Sequence, residues 1–357
     1  MDFIDAFYKK VEQMNINWNV KALVTEDDKY VSLGDDTKLI GRIFELLCHP
    51  ILQEIAQENG YTLEVSAKQN YYPDFTLSKY DKDGNVTNER IAVDIKTTYR
   101  EKGKIEYTLG SYASFIRDGK KNISHPYAEY VKHYVIGFVY SRGNSEQGIV
   151  YDKIEDIKVP YSKVEFFVQE KYKISGDVPG SGNTENMGSF PTTDIELIRE
   201  GNGPFSVLGY TIFEDYWKNY PRYKTPEDEK EYTSLPAYFE WKAACGNNMA
   251  DLKIKYEYWR KMYNPTEKEF VEKRLEENPT ATLFVNTKGK NLAVLLGNVD
   301  DENAMFIINE EIIREIISMA EQSKIFLETV EMTQSSFMDY NKKMRTKCKT
   351  DSEKGEM

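Results

Sequence analysis

The amino-acid sequence predicts an α/β or α+β fold in which helices flank a mixed β-sheet. Three observations carry this prediction. Residues 72–98 alternate apolar and polar side chains on both sides of a polar turn, which is typical of two paired strands. Further segments downstream have the same strand character, and two amphipathic helical patterns precede the strand pair. A chain of 357 residues is long enough for one large domain or two ordinary ones.

Two helices are predicted before the strand pair. The first runs from Asp2 to Met14 and places its apolar residues on one side. The second runs from about Thr37 to Asn59 and has a broad apolar stripe; we expect it to bend at Pro50, because proline disrupts helical hydrogen bonding.

The predicted strands include the central pair, which the turn at residues 82–85 joins. In its second strand, Ala92, Asp94 and Lys96 share one face, whereas Ile91, Val93 and Ile95 point the other way, into a core. The other predicted strands are Tyr61 to Ser66, Ile105 to Leu109, Val131 to Ser141, Gly148 to Tyr151 and Val164 to Gln169.

Composition excludes several classes of protein. The chain is 40% apolar and 13% aromatic, which is typical of globular proteins rather than disordered ones. No apolar run has membrane-spanning length, and the amino terminus lacks the order of a signal peptide. Three scattered cysteines predict a reducing cytoplasm, and three histidines without a Cys-x-x-Cys motif argue against a structural zinc site. We therefore expect a cytoplasmic protein that does not bind a membrane.

The net charge of −12 argues against nucleic-acid binding if only the total is considered. The distribution is more favourable, because basic residues outnumber acidic ones seven to three between Lys96 and His125. A local basic surface suits a polyanion that is also held through a metal. An ordinary solvated surface explains the same residues equally well.

Two carboxylates and a lysine on the strand pair are candidate catalytic residues. Asp74 and Asp94 stand on neighbouring strands, and Lys96 lies on the same face as Asp94. Two acids can hold Mg²⁺ through oxygen ligands and leave its other positions for water and phosphate. A nearby lysine can stabilise developing charge or help to deprotonate a water molecule. The pattern predicts metal-assisted phosphodiester hydrolysis.

The Asp-x-Lys triplet is weak evidence by itself, because it recurs at Asp118, Asp156 and Asp228. Only the triplet at Asp94 lies in an apolar-alternating strand with an upstream Pro-Asp. The alternative is a salt-bridged strand edge with a solvated lysine. Glu45 raises the same choice: it is either a helix-borne acid that faces the strand pair or half of an exposed ion pair with Arg42, and its residues alone favour the ion pair.

A loop rich in small residues spans Gly176 to Ser189. It lacks the lysine of a P-loop and the third glycine of a dinucleotide-binding motif. Exposed Asn and Thr side chains in such a loop can enter the major groove, where Asn pairs with adenine and Thr touches a thymine methyl group. A flexible surface turn is the alternative interpretation.

In these segments the chain resembles the EcoRV family of type II restriction endonucleases, within the PD-(D/E)xK nuclease superfamily. The similarity covers about the first 240 residues. The matching pieces, in order, are SLGDDTKLIGRIFELL, QNYYPDFTLSK, IAVDIKTTY, YTLGSYASFIRDGKKNI, YVIGFVYSR, SGDVPGSGNTENMGS and EDYWKNY. Several of them lie outside the catalytic triplet. The resemblance implies a restriction-endonuclease-like fold for residues 1–242, with dimerisation and DNA-binding/catalytic subdomains.

The resemblance also implies roles for individual residues. Asp74 and Asp94 would be Mg²⁺ ligands, Lys96 the catalytic lysine, and Glu45 an auxiliary acid that takes part in a second metal position. The major-groove recognition loop would contain Gly180, Gly182, Asn183 and Thr184. The minor-groove loop would contain Gln69 and Asn70. Backbone phosphates would be held at Thr37, Lys38, Thr97, Ser114 and Lys121.

The activity implied by the resemblance is that of a Mg²⁺-dependent homodimer. Such an enzyme cuts a six-base palindrome in double-stranded DNA at its centre, leaves blunt ends, and bends the site at a flexible TA step. It works in a restriction-modification system with a cognate DNA methyltransferase. GATATC is the first expectation for the site, although Glu185, Tyr71 and Ala113 depart from the family pattern. A catalytically inactive DNA-binding or regulatory relative is the alternative function.

The carboxy-terminal residues 243–357 have no counterpart in the resemblance. The pattern predicts a capped helix over Thr266 to Asn278, a hairpin around Lys288-Gly289, and a long amphipathic helix that starts at Asn309. A basic, frayed tail is predicted from Asn341. Packing is the expected role of this α/β extension, and a DNA-binding arm is the alternative.

Overall fold

The structure is a computed structural model that describes residues 1–68, 70–100, 104–180, 186–297, 305–333, 335–339 and 342, apart from the side chains at positions 88 and 227. The chain forms two compact units, Met1–Glu257 and Tyr258–Met357. Within the described ranges, none of the helices combines the length and the apolar character needed to cross a bilayer.

The first unit contains most of the regular elements. In chain order these are α1 (Phe3–Met14), β1 (Ala22–Val24), β2 (Tyr30–Leu33), α2 (Thr37–Glu58), β3 (Thr62–Val65), β4 (Phe75–Tyr80), β5 (Val86–Tyr99), α3 (Tyr112–Asp118), β6 (Tyr130–Arg142), β7 (Gln147–Tyr151), β8 (Tyr161–Glu170), α4 (Lys171–Ile174), β9 (Ser175–Pro179), β10 (Met187–Ser189), α5 (Ile195–Arg199), α6 (Pro204–Leu208), α7 (Tyr210–Asn219) and α8 (Leu235–Ala244). Helix α9 (Ala250–Tyr263) contains the division between the two units.

The central sheet has the strand order β3-β4-β5-β6-β8. Strand β5 pairs antiparallel with β4 and parallel with β6, and the other neighbours pair antiparallel. The β4–β5 turn closes through a bond of 3.2 Å from the Gly84 N–H to the Asp81 carbonyl, with Gly84 at φ +80°, a conformation that suits glycine. The mixed sheet with flanking helices confirms the predicted fold class.

One face of the sheet packs on α1 and α2. Both helices begin at aspartates, Asp2 and Asp36, whose carboxylates accept hydrogen bonds from the first free N–H groups. The Phe44 ring of α2 stacks on Phe138 of β6 at 4.2 Å, and both side chains are fully buried. The same core contains the predicted inward residues of β5, namely Ile91, Val93 and Ile95.

The opposite face carries polar groups among aromatic rings. His133 of β6 lies between the rings of Tyr72, Tyr112 and Tyr127 at centroid distances of 5.0–5.9 Å. Its Nδ1 is 2.8 Å from the Tyr72 hydroxyl. Asp94 and Lys96 are on this face of β5, because side chains alternate along a strand. Asp94 and Lys96 are therefore on the face away from α1 and α2, whereas the candidate Glu45 belongs to α2 itself.

The predicted strand over Ile105 to Leu109 is wrong. This segment makes only isolated bridges, from Ile105 to Thr192 and from Thr108 to Gly188. Its ladder is interrupted because the Tyr107 N–H donates to the Ser189 hydroxyl, at 2.9 Å, rather than to a backbone carbonyl. The segment nevertheless runs beside β10 and supports it.

The second unit contains α10 (Glu267–Glu277), β11 (Thr280–Val285), β12 (Asn291–Leu296), β13 (Met305–Ile307), α11 (Glu310–Glu321) and β14 (Phe326–Glu331). Its sheet has the order β13-β12-β11-β14. Thr266 and Glu269 form a capping box at α10, and Asn309 caps α11. The predicted helices and hairpin are confirmed, while almost all of the basic tail lies outside the described residues.

Candidate active site

Strand pairing brings the two predicted aspartates together. The register pairs Phe75 with Val93, so Asp74, one residue before β4, comes opposite Asp94. The Asp74 Oδ2 atom accepts a hydrogen bond of 2.7 Å from the Ile95 N–H. This bond fixes the Asp74 carboxylate at the start of β4, next to Asp94.

Two lysines compensate the charge of Asp94. The carboxylate is only 4% exposed, and its Oδ2 atom is 2.8 Å from both Lys96 Nζ and Lys171 Nζ. Lys96 is partly exposed, and its ammonium also reaches the Ile95 carbonyl at 3.3 Å. Lys171 is fully buried. The face of β5 thus holds a buried carboxylate between one accessible and one inaccessible cation.

The two carboxylates have opposite pKa shifts. Burial raises the pKa of Asp74, and the neighbouring negative charge of Asp94 raises it further, to about 7, against the opposing effect of Lys96. Burial also acts to raise the pKa of Asp94, but the charges of Lys171 and then Lys96 outweigh it and lower that pKa below its ordinary value. Both lysines contact Asp94, so Asp74 is the acid whose ionised form is poorly stabilised.

A cleft of about 410 Å³ opens at Asp74. Its lining combines this acid with basic and hydroxyl groups: Arg42, Glu45, Val65, Ser66, Ala67, Lys68 and Asp74. Glu45 forms an ion pair with Arg42, as its spacing on the helix indicates. Its charge also contributes to the raised pKa of Asp74. Both interpretations of Glu45 thus have support, because the ion pair lies at the wall of the same cleft.

The donor set fits a divalent cation. Two carboxylates on adjacent strands supply oxygen ligands, and Asp74 has a raised pKa that a bound cation would oppose. Over the ranges that the structure describes, no three acidic, histidine or cysteine side chains form a single metal-binding cluster. Glu45 as a third ligand therefore stays a prediction.

Comparison with known proteins decides the family. The family model for restriction endonuclease EcoRV matches residues 14–243. The type II restriction enzyme EcoRV of Escherichia coli is 39% identical over 246 residues, which cover 67% of this chain and 96% of that enzyme. The chain belongs to the EcoRV restriction endonuclease family. It is accordingly a type II restriction endodeoxyribonuclease, and the match lies within the first of the two compact units.

The phosphate-contact positions suggested by the EcoRV family are spread over several elements. Thr37 and Lys38 are exposed at the first turn of α2, where the Asp36 carboxylate accepts hydrogen bonds from the Lys38 and Leu39 N–H groups. Thr97 is partly buried on β5, Ser114 partly buried on α3, and Lys121 exposed after α3. These positions thus come from three parts of the chain, namely α2, β5 and the segment around α3.

The predicted recognition loop is described only at its base. Gly180 and Asn186 close it through a bond of 2.8 Å from the Gly180 N–H to the Asn186 carbonyl. The Ser111 hydroxyl donates to Asn186 Oδ1 at 2.7 Å. In the loop predicted to approach the minor groove, Asn70 is exposed. The predicted residues Gly182, Asn183, Thr184 and Gln69 lie outside the described residues, as does the departing residue Glu185.

Sequence reasoning missed Lys171. It is 77 residues from Asp94 and stands in a charged run, Gln169-Glu170-Lys171-Tyr172-Lys173, which is typical of a solvated strand end. Lys173 of the same run is partly exposed and pairs with Glu170 at 3.4 Å. No local signal separates the two lysines, since only the packing of α4 against the sheet buries one of them.

Proposed function

We propose that this chain is a Mg²⁺-dependent homodimer that cuts both strands of a palindromic DNA site. The observation that carries the proposal is the pairing of Asp74 with Asp94 beside Lys96, at the edge of a cleft that also presents Arg42. A two-fold dimer would place one copy of this arrangement on each strand of a palindrome.

In the proposed reaction, water attacks the scissile phosphorus and the 3′ oxygen leaves, so the product carries a 5′ phosphate. Mg²⁺ would supply Lewis-acid activation when held by Asp74 and Asp94, with Glu45 as the auxiliary acid. Lys96 is the partly exposed cation of the site, so its ammonium can turn from Asp94 toward a phosphate oxygen and stabilise the charge that develops there.

Sequence recognition is proposed for the loop between β9 and β10. Asn183 and Thr184 would contact bases, and Gly180 and Gly182 would let the backbone approach the major groove. Gln69 and Asn70 would approach the minor groove. Thr37, Lys38, Thr97, Ser114 and Lys121 would hold phosphates, which fix the register of the duplex. GATATC with a blunt central cut is the proposed first site to test.

The biological setting follows from the class of enzyme. A restriction endonuclease must be prevented from cutting the DNA of its own cell, so we propose a cognate DNA methyltransferase as genetic partner and the cytoplasm as the place of action. The proposed boundary of the endonuclease domain is residue 242, with 243–357 as an extension.

The test is incubation of the purified protein with unmethylated plasmid DNA and Mg²⁺, followed by mapping of the fragment ends. Discrete fragments with 5′ phosphates are expected. Asp94→Asn should give no fragments, whereas Asp156→Asn should cut normally, because Asp156 begins another Asp-x-Lys triplet but is exposed on a short turn. DNA binding without cleavage at any enzyme concentration would contradict the proposal, and sedimentation measurements check the dimer.

A further inference from the structure

Lys171 is a cation enclosed by protein at the back of the candidate active site. Its side chain has no exposed surface. The ammonium lies 2.8 Å from Asp94 Oδ2 and 3.3 Å from the Leu109 carbonyl. It also sits over the rings of Tyr72 and Tyr112, at 4.2 and 4.8 Å from their centroids. These contacts surround the charge with one carboxylate, one carbonyl and two aromatic faces.

Stability alone is a poor reason for such a charge pair. Removing an ammonium and a carboxylate from water carries a large desolvation penalty for each ion, and apolar replacements of buried pairs are often neutral or stabilising. What a buried pair does provide is a defined position for each group. Here the positioned group is Asp94, whose carboxylate must keep the same orientation when a cation and DNA bind.

The two lysines on Asp94 have different freedom. Lys96 Nζ contacts the same Oδ2 atom at 2.8 Å, but its side chain is 22% exposed. It can leave Asp94 to meet a phosphate. Lys171 cannot reach solvent without unpacking α4, so it stays with the carboxylate. The site therefore has one lysine, Lys96, that can contact substrate, and one, Lys171, that stays with the proposed metal ligand Asp94.

Lys171 also connects Asp94 with the hairpin that carries the recognition loop. The Leu109 carbonyl accepts from Lys171, and the Leu109 N–H donates to the Met187 carbonyl at 2.7 Å, at the start of β10. In the other direction along the chain, α4 begins at Lys171 and runs directly into β9. Both strands of the hairpin are thus tied to the residue that touches Asp94.

We propose that Lys171 is a positioning residue, which fixes the Asp94 carboxylate and links it to the base of the β9–β10 hairpin. The inference rests on the proposed role of Asp94 in catalysis. It assigns Lys171 no contact with DNA and no proton transfer. A movement of the hairpin on recognition of the correct site would then reach Asp94 through three hydrogen bonds, which join Met187 to Leu109, Leu109 to Lys171, and Lys171 to Asp94.

The first test is a double-mutant cycle on the metal-free protein, with Lys171→Met, Asp94→Asn and the double variant. Lys171→Met should lower Tm, because it leaves the carboxylate with one cation. The double variant should melt above Lys171→Met, since neither charge then remains buried. Additive effects of the two substitutions would overturn the proposal. If Lys171→Met does not fold but the double variant does, the coupling is supported.

The second test measures cleavage at saturating Mg²⁺ and saturating plasmid DNA. Lys171→Met should lower the rate constant on the order of 100-fold, as expected for a displaced catalytic group, while duplex binding in EDTA stays within about twofold. Lys173→Met is the matched control in the same short helix and should cut normally. Lys171→Gln, which keeps a shorter donor, should fall between the wild type and Lys171→Met.

The outcomes separate this inference from the proposed function. A Lys171→Met enzyme that is less stable but cuts at the wild-type rate has lost only packing, and the positioning role is then wrong. In that case an inactive Asp94→Asn enzyme leaves the proposed function intact. If Asp94→Asn itself cuts normally, the assignment of the active site is wrong and the role of Lys171 falls with it.

Discussion

The Asp74 carboxylate accepts a hydrogen bond of 2.7 Å from the backbone N–H of Ile95, the residue between Asp94 and Lys96. Because an N–H of β5 holds the acid that precedes β4, the register of two strands sets the position of Asp74 relative to Asp94. The same bond places a half-buried carboxylate beside a buried one. The site is therefore built from strand pairing, and burial together with the neighbouring charge of Asp94 makes an ionised Asp74 unfavourable without a bound cation.

Asp74→Asn is expected to abolish cleavage and to stabilise the metal-free protein. An amide still accepts from the Ile95 N–H, but it buries no charge and does not repel Asp94, so the free energy of unfolding should rise on the order of 1 kcal/mol. Urea unfolding in EDTA and plasmid cleavage measure the two effects. Asp83→Asn removes an exposed acid from the β4–β5 turn and should change neither. A less stable Asp74→Asn protein would contradict the charge argument.

Asn183→Ala is expected to reduce cleavage of the mapped site by weakening base recognition. Loss of one good side-chain contact to a base costs about 1–3 kcal/mol of discrimination. Binding to duplexes without the site should hardly change, because phosphate contacts supply that affinity. Competition between site-containing and random duplexes is the measurement. Asn144→Ala, an exposed residue after β6, is the control; equal losses on both duplexes would show that Asn183 does not read sequence.

His133 is expected to make the metal-free protein sensitive to acid. Burial lowers the pKa of His133 from its ordinary value of 6.5 to about 3, and the charge of Lys171 acts in the same direction. Between these pH values the unfolded chain binds a proton that the folded protein excludes. The contribution of His133 to the free energy of unfolding should therefore be fully present above pH 6.5 and fall by about 1.4 kcal/mol per pH unit below it. Asp74 contributes with the opposite sign, because its raised pKa makes the folded protein bind a proton more readily than the unfolded chain, so the His133 effect is the difference between the wild type and a His133 variant.

The check is urea unfolding from pH 7 to pH 4. His133→Asn should be less stable at pH 7, because it leaves space among the tyrosine rings, but its stability should decline less as the pH falls. His49→Asn makes the same change at a histidine that solvent reaches. Parallel acid profiles for the wild type and His133→Asn would refute the assignment.

Removal of the second unit is expected to leave cleavage in place. A chain of residues 1–257 keeps the Tyr256 ring at 5.8 Å from Phe239, which is buried on α8, and should cut within roughly threefold of the full chain. A chain of residues 1–242 loses that packing and the end of α8, so it should have a lower Tm. A folded but inactive 1–257 chain would show that the extension takes part in the reaction.

The sequence alone determined the elements whose signals are local. Alternation along β5 predicted which residues enter the core and which share a face with Asp94, and the structure confirms Ile91, Val93 and Ile95 as core residues. Capping residues predicted the start of α10 and α11. The matching segments predicted the endonuclease family, because family motifs are contiguous in sequence.

Only the tertiary structure decided which charges compensate one another. Lys171 and Lys173 are indistinguishable in sequence, yet packing buries one against Asp94 and leaves the other partly exposed. The segment from Ile105 to Leu109 has strand character, but its partner offers a serine hydroxyl where a ladder needs a carbonyl. Burial and long-range hydrogen bonds depend on residues far apart in the chain, so no local pattern carries them.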